Sequence, residues 1–424
     1  MRVEQALQLL PDTEILGPLR DLVLESAQAD GLVAFGAAAP YLTVAKRQVV
    51  ADELRRRLPD LLRQVAAHLS ALYGAYIGAL AHQDSGHPAE AVAELVRGAR
   101  LAEAAGRLEP AGRWYAVALG VAEGLQDRRP EVETLQGMAS LNASMGRYAD
   151  AARQYQRSLA LAEAEFNHEG AIAACSGLGV AAMERGDLAA AAAWLGRGLR
   201  QAEAVDAPLL AGRLRRQLGA LAHRSGDLAI AAEHLRRARE RFEPLGEAAE
   251  MARTLDTQGL VEADLGRHAA ALAAYREALA WARRSQANGA LESGVRLHLA
   301  ELLLDSGRTH EAEEEMRRAE QLAIAGHARE PLVRIYVLMG TLRGREGDET
   351  GFVFFEQALA LCRTFGRRPS LEAEVYRQYA QFKRGLGQEP DAEAFLERAR
   401  ELFEAAGEEA GVALVRAELG ERSA

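Results

Sequence analysis

The sequence repeats itself with a period of forty residues, and this period constrains the fold more than any other feature. Each repeat has a glycine between two stretches of helical pattern, and successive glycines stand 40, 40, 40, 41, 40 and 40 positions apart. A fixed period of this length is typical of solenoids, in which one supersecondary unit stacks on the next. The glycines are Gly146, Gly186, Gly226, Gly266, Gly307, Gly347 and Gly387.

Each repeat is predicted to form two helices joined by a short turn. Before Gly186, apolar residues such as Cys175, Leu178 and Ala182 recur at three- or four-residue spacing, which is one face of a helix. Residues 188–199 repeat this spacing after the glycine. Glycine suits the turn because it adopts a positive φ without steric cost. In three repeats an aspartate follows, where it can cap the next helix: Asp187, Asp227 and Asp348.

These repeats resemble the tetratricopeptide family, whose pattern runs W-x2-L-G-x2-Y and then A-x3-F. The L-G pair stands at Leu178-Gly179 and Leu218-Gly219, its glycine alone at Gly259 and Gly340, and A-x3-F is matched by Ala151 and Tyr155, Ala191 and Leu195, Ala231 and Leu235, and Ala271 and Tyr275. The period exceeds the family's, which is about 34 residues, so longer helices are expected. The resemblance covers about residues 130–405. It implies an all-α, right-handed solenoid of about seven antiparallel helix pairs.

The repeat phase is expected to break upstream of this array. The stretch 86–106 resembles a turn and a second helix, but Gly86 lies 60 residues, or one and a half periods, before Gly146. We therefore expect an extra single helix around residues 109–126 and an irregular junction near 106–130. The expected division is a helical cap or small helical domain at 1–59, irregular helical repeats at 60–129, the repeat array at 130–405, and a capping helix with a tail at 406–424.

The charge of the chain bears on its partners. A formal net charge of −10 argues against nucleic acid as a partner of the whole protein, because phosphate binding requires a basic surface. The most basic N-terminal stretch lies within residues 46–63. We interpret it as a solvated helix face, with a head that binds DNA or an acidic partner as the alternative. Its basic residues are Lys46, Arg47, Arg55, Arg56, Arg57 and Arg63.

Membrane attachment is not expected. The first residues, MRVEQALQLLPDTE, contain acidic side chains where a signal peptide requires an apolar run. The most apolar later stretch, residues 31–42, is too short to cross a bilayer. The sequence therefore predicts a cytoplasmic protein without a membrane partner.

Catalytic motifs are not found in the sequence. Residues 176–182, SGLGVAA, outline a dinucleotide fingerprint, but that motif requires a preceding strand, and here the preceding residues continue a helical pattern. The ten histidines form no H-E-x-x-H motif and no zinc-type cluster with cysteine. We expect a non-enzymatic protein without cofactor or metal, and a catalytic site built from scattered residues is the weaker alternative.

A stripe of arginines is the remaining candidate site. In tetratricopeptide proteins, the first helix of each repeat lines the concave groove. Residues six and three before, and one and four after, the packing glycine share one stripe of that helix. We expect the groove to carry Arg213, Arg216, His223, Arg253, Arg334, Arg377 and Arg384. The alternative is that these side chains pair between neighbouring repeats, for instance Arg216 with Asp256.

The resemblance implies a protein that binds another protein or a peptide. The leading hypothesis is a scaffold that holds its partner in the concave groove. Because a guanidinium can hold a carboxylate through two hydrogen bonds, an acidic segment or a chain terminus is the expected complement. The alternative is a regulatory sensor, in which the repeats bind a peptide or small ligand and act through the N-terminal region.

Overall fold

The chain folds into an array of antiparallel α-helix pairs. A computed structural model describes residues 86–420, with gaps at 105–106, 286–288, 327 and 365–368, together with residues 71, 75, 78, 79 and 82. Seventeen α-helices and one short 3₁₀ turn, Glu349–Gly351, make up this part of the chain. The expected N-terminal cap and the basic stretch at 46–63 lie outside the described residues.

The helices alternate between a first and a second member of each pair. The first members are α1 (Pro88–Ala104), α3 (Arg129–Ser144), α5 (His168–Glu184), α7 (Pro208–Arg224), α9 (Ala248–Asp264), α11 (Ala290–Asp305), α13 (Arg329–Arg345) and α15 (Pro369–Gly385). The second members are α2 (Leu108–Ala122), α4 (Tyr148–Ala164), α6 (Leu188–Ala204), α8 (Leu228–Phe242), α10 (His268–Arg284), α12 (Thr309–Ala325), α14 (Phe352–Thr364) and α16 (Glu389–Ala406). A final helix, α17 (Glu409–Glu418), packs against α16.

The turns within the pairs follow the prediction from the sequence. All seven phasing glycines lie between a first and a second helix with φ between 71° and 81°, a conformation that disfavours any side chain. Asp187 accepts a hydrogen bond from the backbone N–H of Ala190 at 2.9 Å, and thereby caps α6. Asp348 caps in the same way through Thr350, whereas the Asp227 side chain makes no such bond.

Helices within a pair approach closely where glycine faces a large side chain. A Cβ built on Gly179 would stand 2.5 Å from Leu195, and one built on Gly340 would stand 2.6 Å from Phe355. On the second helices, fully buried alanines flank that large residue, as Ala231 and Ala238 flank Leu235. Because alanine takes little room, the helix axes can lie close together along the whole array.

The expected phase break between residues 106 and 130 is wrong. Helices α1 and α2 form an ordinary pair, and α2 begins 40 residues before α4. Tyr115 of α2 packs on Gly137 as Tyr155 of α4 packs on Gly177, again 40 residues later. Gly86, with φ of 76°, therefore occupies the turn that precedes a first helix and not the turn inside a pair. The array thus extends one regular pair further towards the N-terminus.

The pairs stack so that the first helices form one continuous surface. From α1 to α15, each first helix contacts the first helix of the next pair, whereas second helices of neighbouring pairs make no comparable contact in the described part. We call the exposed side of the first helices the groove. None of the described helices is long and apolar enough to cross a lipid bilayer.

Candidate ligand groove

Polar side chains link neighbouring first helices across the groove. The hydroxyl of Ser176 on α5 donates to the side-chain oxygen of Gln217 on α7 at 2.8 Å. Two histidine–aspartate pairs continue the series towards α11, with His223 Nε2 at 2.7 Å from Asp264 and His298 Nδ1 at 2.8 Å from Asp256. These bonds fix the lateral register of α5, α7, α9 and α11, and so define the floor on which a ligand would lie.

Three of the predicted arginines meet at one carboxylate in this groove. Arg213 Nε donates to Glu250 Oε1 at 2.9 Å, and a terminal nitrogen of Arg253 lies 3.4 Å from the same oxygen. Arg216 Nε lies 3.4 Å from the other oxygen, Oε2. We call these four residues the groove cluster. Arg213 and Arg216 come from α7, and Glu250 and Arg253 come from α9, so the cluster bridges two repeats.

The groove cluster is not balanced in charge. Three guanidinium groups surround a single carboxylate, and in the described part of the chain no other carboxylate lies within 4.0 Å of them. Glu250 is only 7% exposed, whereas Arg213 and Arg253 are 42% and 43% exposed. The cluster therefore presents a surplus of positive charge to the groove.

Arg216 is the most constrained member of the groove cluster. Its Nε and the facing Oε2 of Glu250 are both buried, yet neither forms a hydrogen bond with a described residue. Burial lowers the pKa of Arg216, attraction to Glu250 raises it, and the charges of Arg253 and Arg213 lower it further. A buried cation with an unused donor and two cationic neighbours is stabilised by additional negative charge.

The other predicted arginines stand in separate ion pairs. Arg334 lies 3.5 Å from Glu301 on the preceding first helix. Arg377 is held by Glu374 and Glu418, each at 2.7 Å. Arg384 bonds Glu389 at 2.9 Å. The structure thus joins Arg213, Arg216 and Arg253 in one site, and it places the others apart.

The particular pair expected between Arg216 and Asp256 is wrong. Asp256 is bonded to His298 of the following first helix, and Arg216 faces Glu250 instead. Sequence analysis missed Glu250 because it lies in the first turn of α9, nine residues before Gly259 and outside the stripe from which groove residues were counted. The only available signal was a carboxylate in a first turn that is otherwise apolar.

A second concave region lies outside the groove. This cleft, with a volume of about 410 Å³, lies between α10 and α12 over α11. It is lined by several arginines, but most of them are paired, as Arg296 is with Glu292 and Glu315, and Arg318 is with Glu315. Because its charges are largely balanced internally, it is a weaker candidate for a ligand site than the groove cluster.

Sequence comparison agrees with the helix pairs and their packing glycines. Residues 210–284, which contain all of the groove cluster, match the family model of the tetratricopeptide repeat. The chain is a tetratricopeptide-repeat protein. A comparison with curated protein sequences gives no match.

Solved tetratricopeptide-repeat structures share this architecture over most of the chain. A Rap protein complexed with competence and sporulation factor has a TM-score of 0.58 at 15% identity, over 82% of this chain and 99% of its own. The apo form of the quorum sensor NprR from B. thuringiensis has a TM-score of 0.53 at 13% identity, over 84% and 99%. The Rap conjugation regulator of plasmid pLS20, in complex with the Phr* peptide, has a TM-score of 0.53 at 14% identity, over 68% and 78%. At these identities the likeness is one of fold.

Proposed function

We propose that this protein is a regulatory sensor that binds a short peptide in the groove of its first helices. The observation that carries the proposal is the groove cluster, where three arginines share one buried carboxylate at the floor of the groove. A surplus of charge on a surface that is otherwise internally paired marks the place where a ligand contributes what the protein lacks.

The fold comparison favours a sensor over the scaffold that led the sequence analysis. One of the similar structures is a regulator in complex with a peptide, and another is a quorum sensor. The scaffold stays a prediction. The sensor hypothesis also assigns the output to the N-terminal region, which lies outside the described residues.

The proposed ligand carries negative charge near one end. Exposed charge pairs contribute only about 0–1 kcal/mol each, so recognition needs several arginines and additional contacts along the groove. Arg213 and Arg253 have the exposure required to reach a ligand, and Arg216 lies beneath them. Binding is expected to weaken as salt rises, because exposed charges are screened over about 10 Å at 0.1 M ionic strength.

A peptide array with a groove-blocking variant tests this function. The full-length protein is applied to an array of short synthetic peptides, beside Ala220→Trp and Ala229→Trp. Ala220 shares the groove stripe with Arg213 and Arg216, whereas Ala229 is exposed on the second helix α8. We expect a set of peptides that bind the wild type and Ala229→Trp but not Ala220→Trp. An array on which both variants bind as the wild type does would contradict peptide binding in the groove.

A further inference from the structure

We infer that the groove cluster binds two carboxylates carried on one residue, the C-terminal aspartate or glutamate of a peptide, and that Glu250 competes internally with that ligand. The inference rests on the proposed function and specifies the ligand of the same site. A C-terminal acidic residue presents its α-carboxylate and its side-chain carboxylate a few ångströms apart. This ligand is chosen for its charge and its geometry.

The charge of the cluster sets the number of carboxylates. Three guanidinium groups face one carboxylate, which leaves two positive charges uncompensated among the described residues. Neighbouring acids are already engaged, since Asp256 and Asp264 each bond a histidine of an adjacent first helix. A ligand with one carboxylate would leave one charge unmatched, and a ligand with two neutralises the cluster.

The geometry of the cluster sets where the two carboxylates lie. Arg213 and Arg253 reach Glu250 Oε1 from different first helices, and more than two fifths of each side chain is open to solvent. Each can turn from the protein oxygen to a ligand oxygen without exposing a buried group. Arg216 is less exposed and stays with Oε2 of Glu250. The ligand therefore spans α7 and α9, with one carboxylate on each exposed arginine.

Glu250 has a second role in this arrangement. In the unliganded groove its Oε1 occupies the donors that the ligand requires, so the ligand must displace part of an existing network. A carboxylate so close to the site also repels an anionic ligand. Its removal is therefore expected to tighten binding, whereas a purely structural Glu250 would make binding weaker when removed.

The test uses a fluorescein-labelled pentapeptide that ends in Leu-Glu with a free C-terminus, titrated into the full-length protein by fluorescence polarisation. Three companion peptides carry a C-terminal amide, a final glutamine, or both changes. We expect the free Leu-Glu peptide to bind most tightly and the doubly neutral peptide to bind weakest. Equal affinities for all four peptides would overturn the inference, even if the groove binds peptides selected on the array.

The decisive variant is Glu250→Gln, with folding checked by circular dichroism. We expect about two- to fivefold tighter binding of the free Leu-Glu peptide, the effect of one exposed charge interaction. We expect Arg213→Gln with Arg253→Gln to abolish the preference for carboxylates, and Arg237→Gln, on the outer side of α8, to leave binding unchanged. Unchanged or weaker binding by a folded Glu250→Gln protein would overturn the competitor role.

A second variant keeps the test decisive if Glu250→Gln does not fold. Arg216→Met with Glu250→Leu removes the two buried charges together, which proteins often tolerate, and it leaves the surplus of two charges in place. We expect this variant to bind the free Leu-Glu peptide at least as tightly as the wild type. Loss of binding by the folded double variant would overturn the inference.

Free glutarate distinguishes the two possible sources of paired carboxylates. We expect it to displace the labelled peptide only at concentrations far above that of unlabelled peptide, because it lacks the contacts of a peptide chain along the groove. Displacement at equal concentrations would overturn the assignment to a peptide end, since the ligand would then be a small dicarboxylic acid.

Discussion

Gly219 of α7 lies so close to Leu235 of α8 that a Cβ built on the glycine would stand 2.8 Å from the leucine Cγ. Leu235 is fully buried, so it cannot move aside freely. We predict that Gly219→Ala lowers the free energy of unfolding by about 1–3 kcal/mol, the usual range for overpacking a core. Urea denaturation followed by circular dichroism measures the change.

Gly294, in the interior of α11, is the matched control. A Cβ built there meets no atom within 4 Å. Gly294→Ala is expected to raise the free energy of unfolding by about 0.4–1 kcal/mol, because alanine reduces the entropy of the unfolded chain. If both substitutions shifted the urea midpoint equally, close approach at Gly219 would not be what holds the pair together.

The turn before α5 offers a second prediction. Phe166 adopts a φ of 53° and its side chain is 81% exposed, whereas the equivalent position two repeats later is Gly246 with a φ of 68°. A bulky residue in this conformation costs about 1 kcal/mol relative to glycine. We expect Phe166→Gly to raise the urea midpoint and Gly246→Ala to lower it. A lower midpoint for Phe166→Gly would show that the exposed ring contributes to folding.

A pH dependence is expected from Glu103 at the end of α1. Burial raises the pKa of its carboxyl from 4.5 to about 7, against the lowering effects of Arg100 and of a hydrogen bond with Tyr115. The folded state thus holds this proton where the unfolded state has released it. The contribution of Glu103 to stability is therefore full below pH 4.5 and is lost as the pH rises to about 7.

Glu103→Gln removes this titration. We expect the variant to gain stability relative to the wild type when the urea midpoint is compared at pH 8 and at pH 5, with the larger gain at pH 8. Glu90→Gln, at an exposed position in the first turn of the same helix, serves as the control. An equal gain at both pH values would place the effect of Glu103→Gln in packing and not in its charge.

The period of the sequence was sufficient to predict the helix pairs from α3 to α16, because each turn depends on a local property of one glycine. The same reasoning failed for α1 and α2, since phase was counted from Gly86. Gly106 stands 40 residues before Gly146 and begins GRLEPAGRWY, which parallels GRYADAARQY at 146–155. A positive-φ glycine occurs at both kinds of turn, so a glycine alone does not identify which turn it occupies.

The site was predictable only in part. Helical spacing placed Arg213, Arg216 and Arg253 on one stripe, because that depends on the geometry of single helices. Which carboxylate they meet depends on how α9 is placed against α7, and on side chains long enough to reach across repeats. Glu250 and Asp256 both lie on α9, and only the packed structure assigns the first to the arginines and the second to His298.

The central claim is that ligands bind on the first helices, at the groove cluster. Hydrogen–deuterium exchange of the full-length protein, with and without the free Leu-Glu peptide, tests it most directly. The account predicts slower exchange in residues 208–224 and 248–264, which form α7 and α9, and unchanged exchange in residues 228–242 of α8. Protection confined to second helices, or to the turn that carries Phe166, would contradict it.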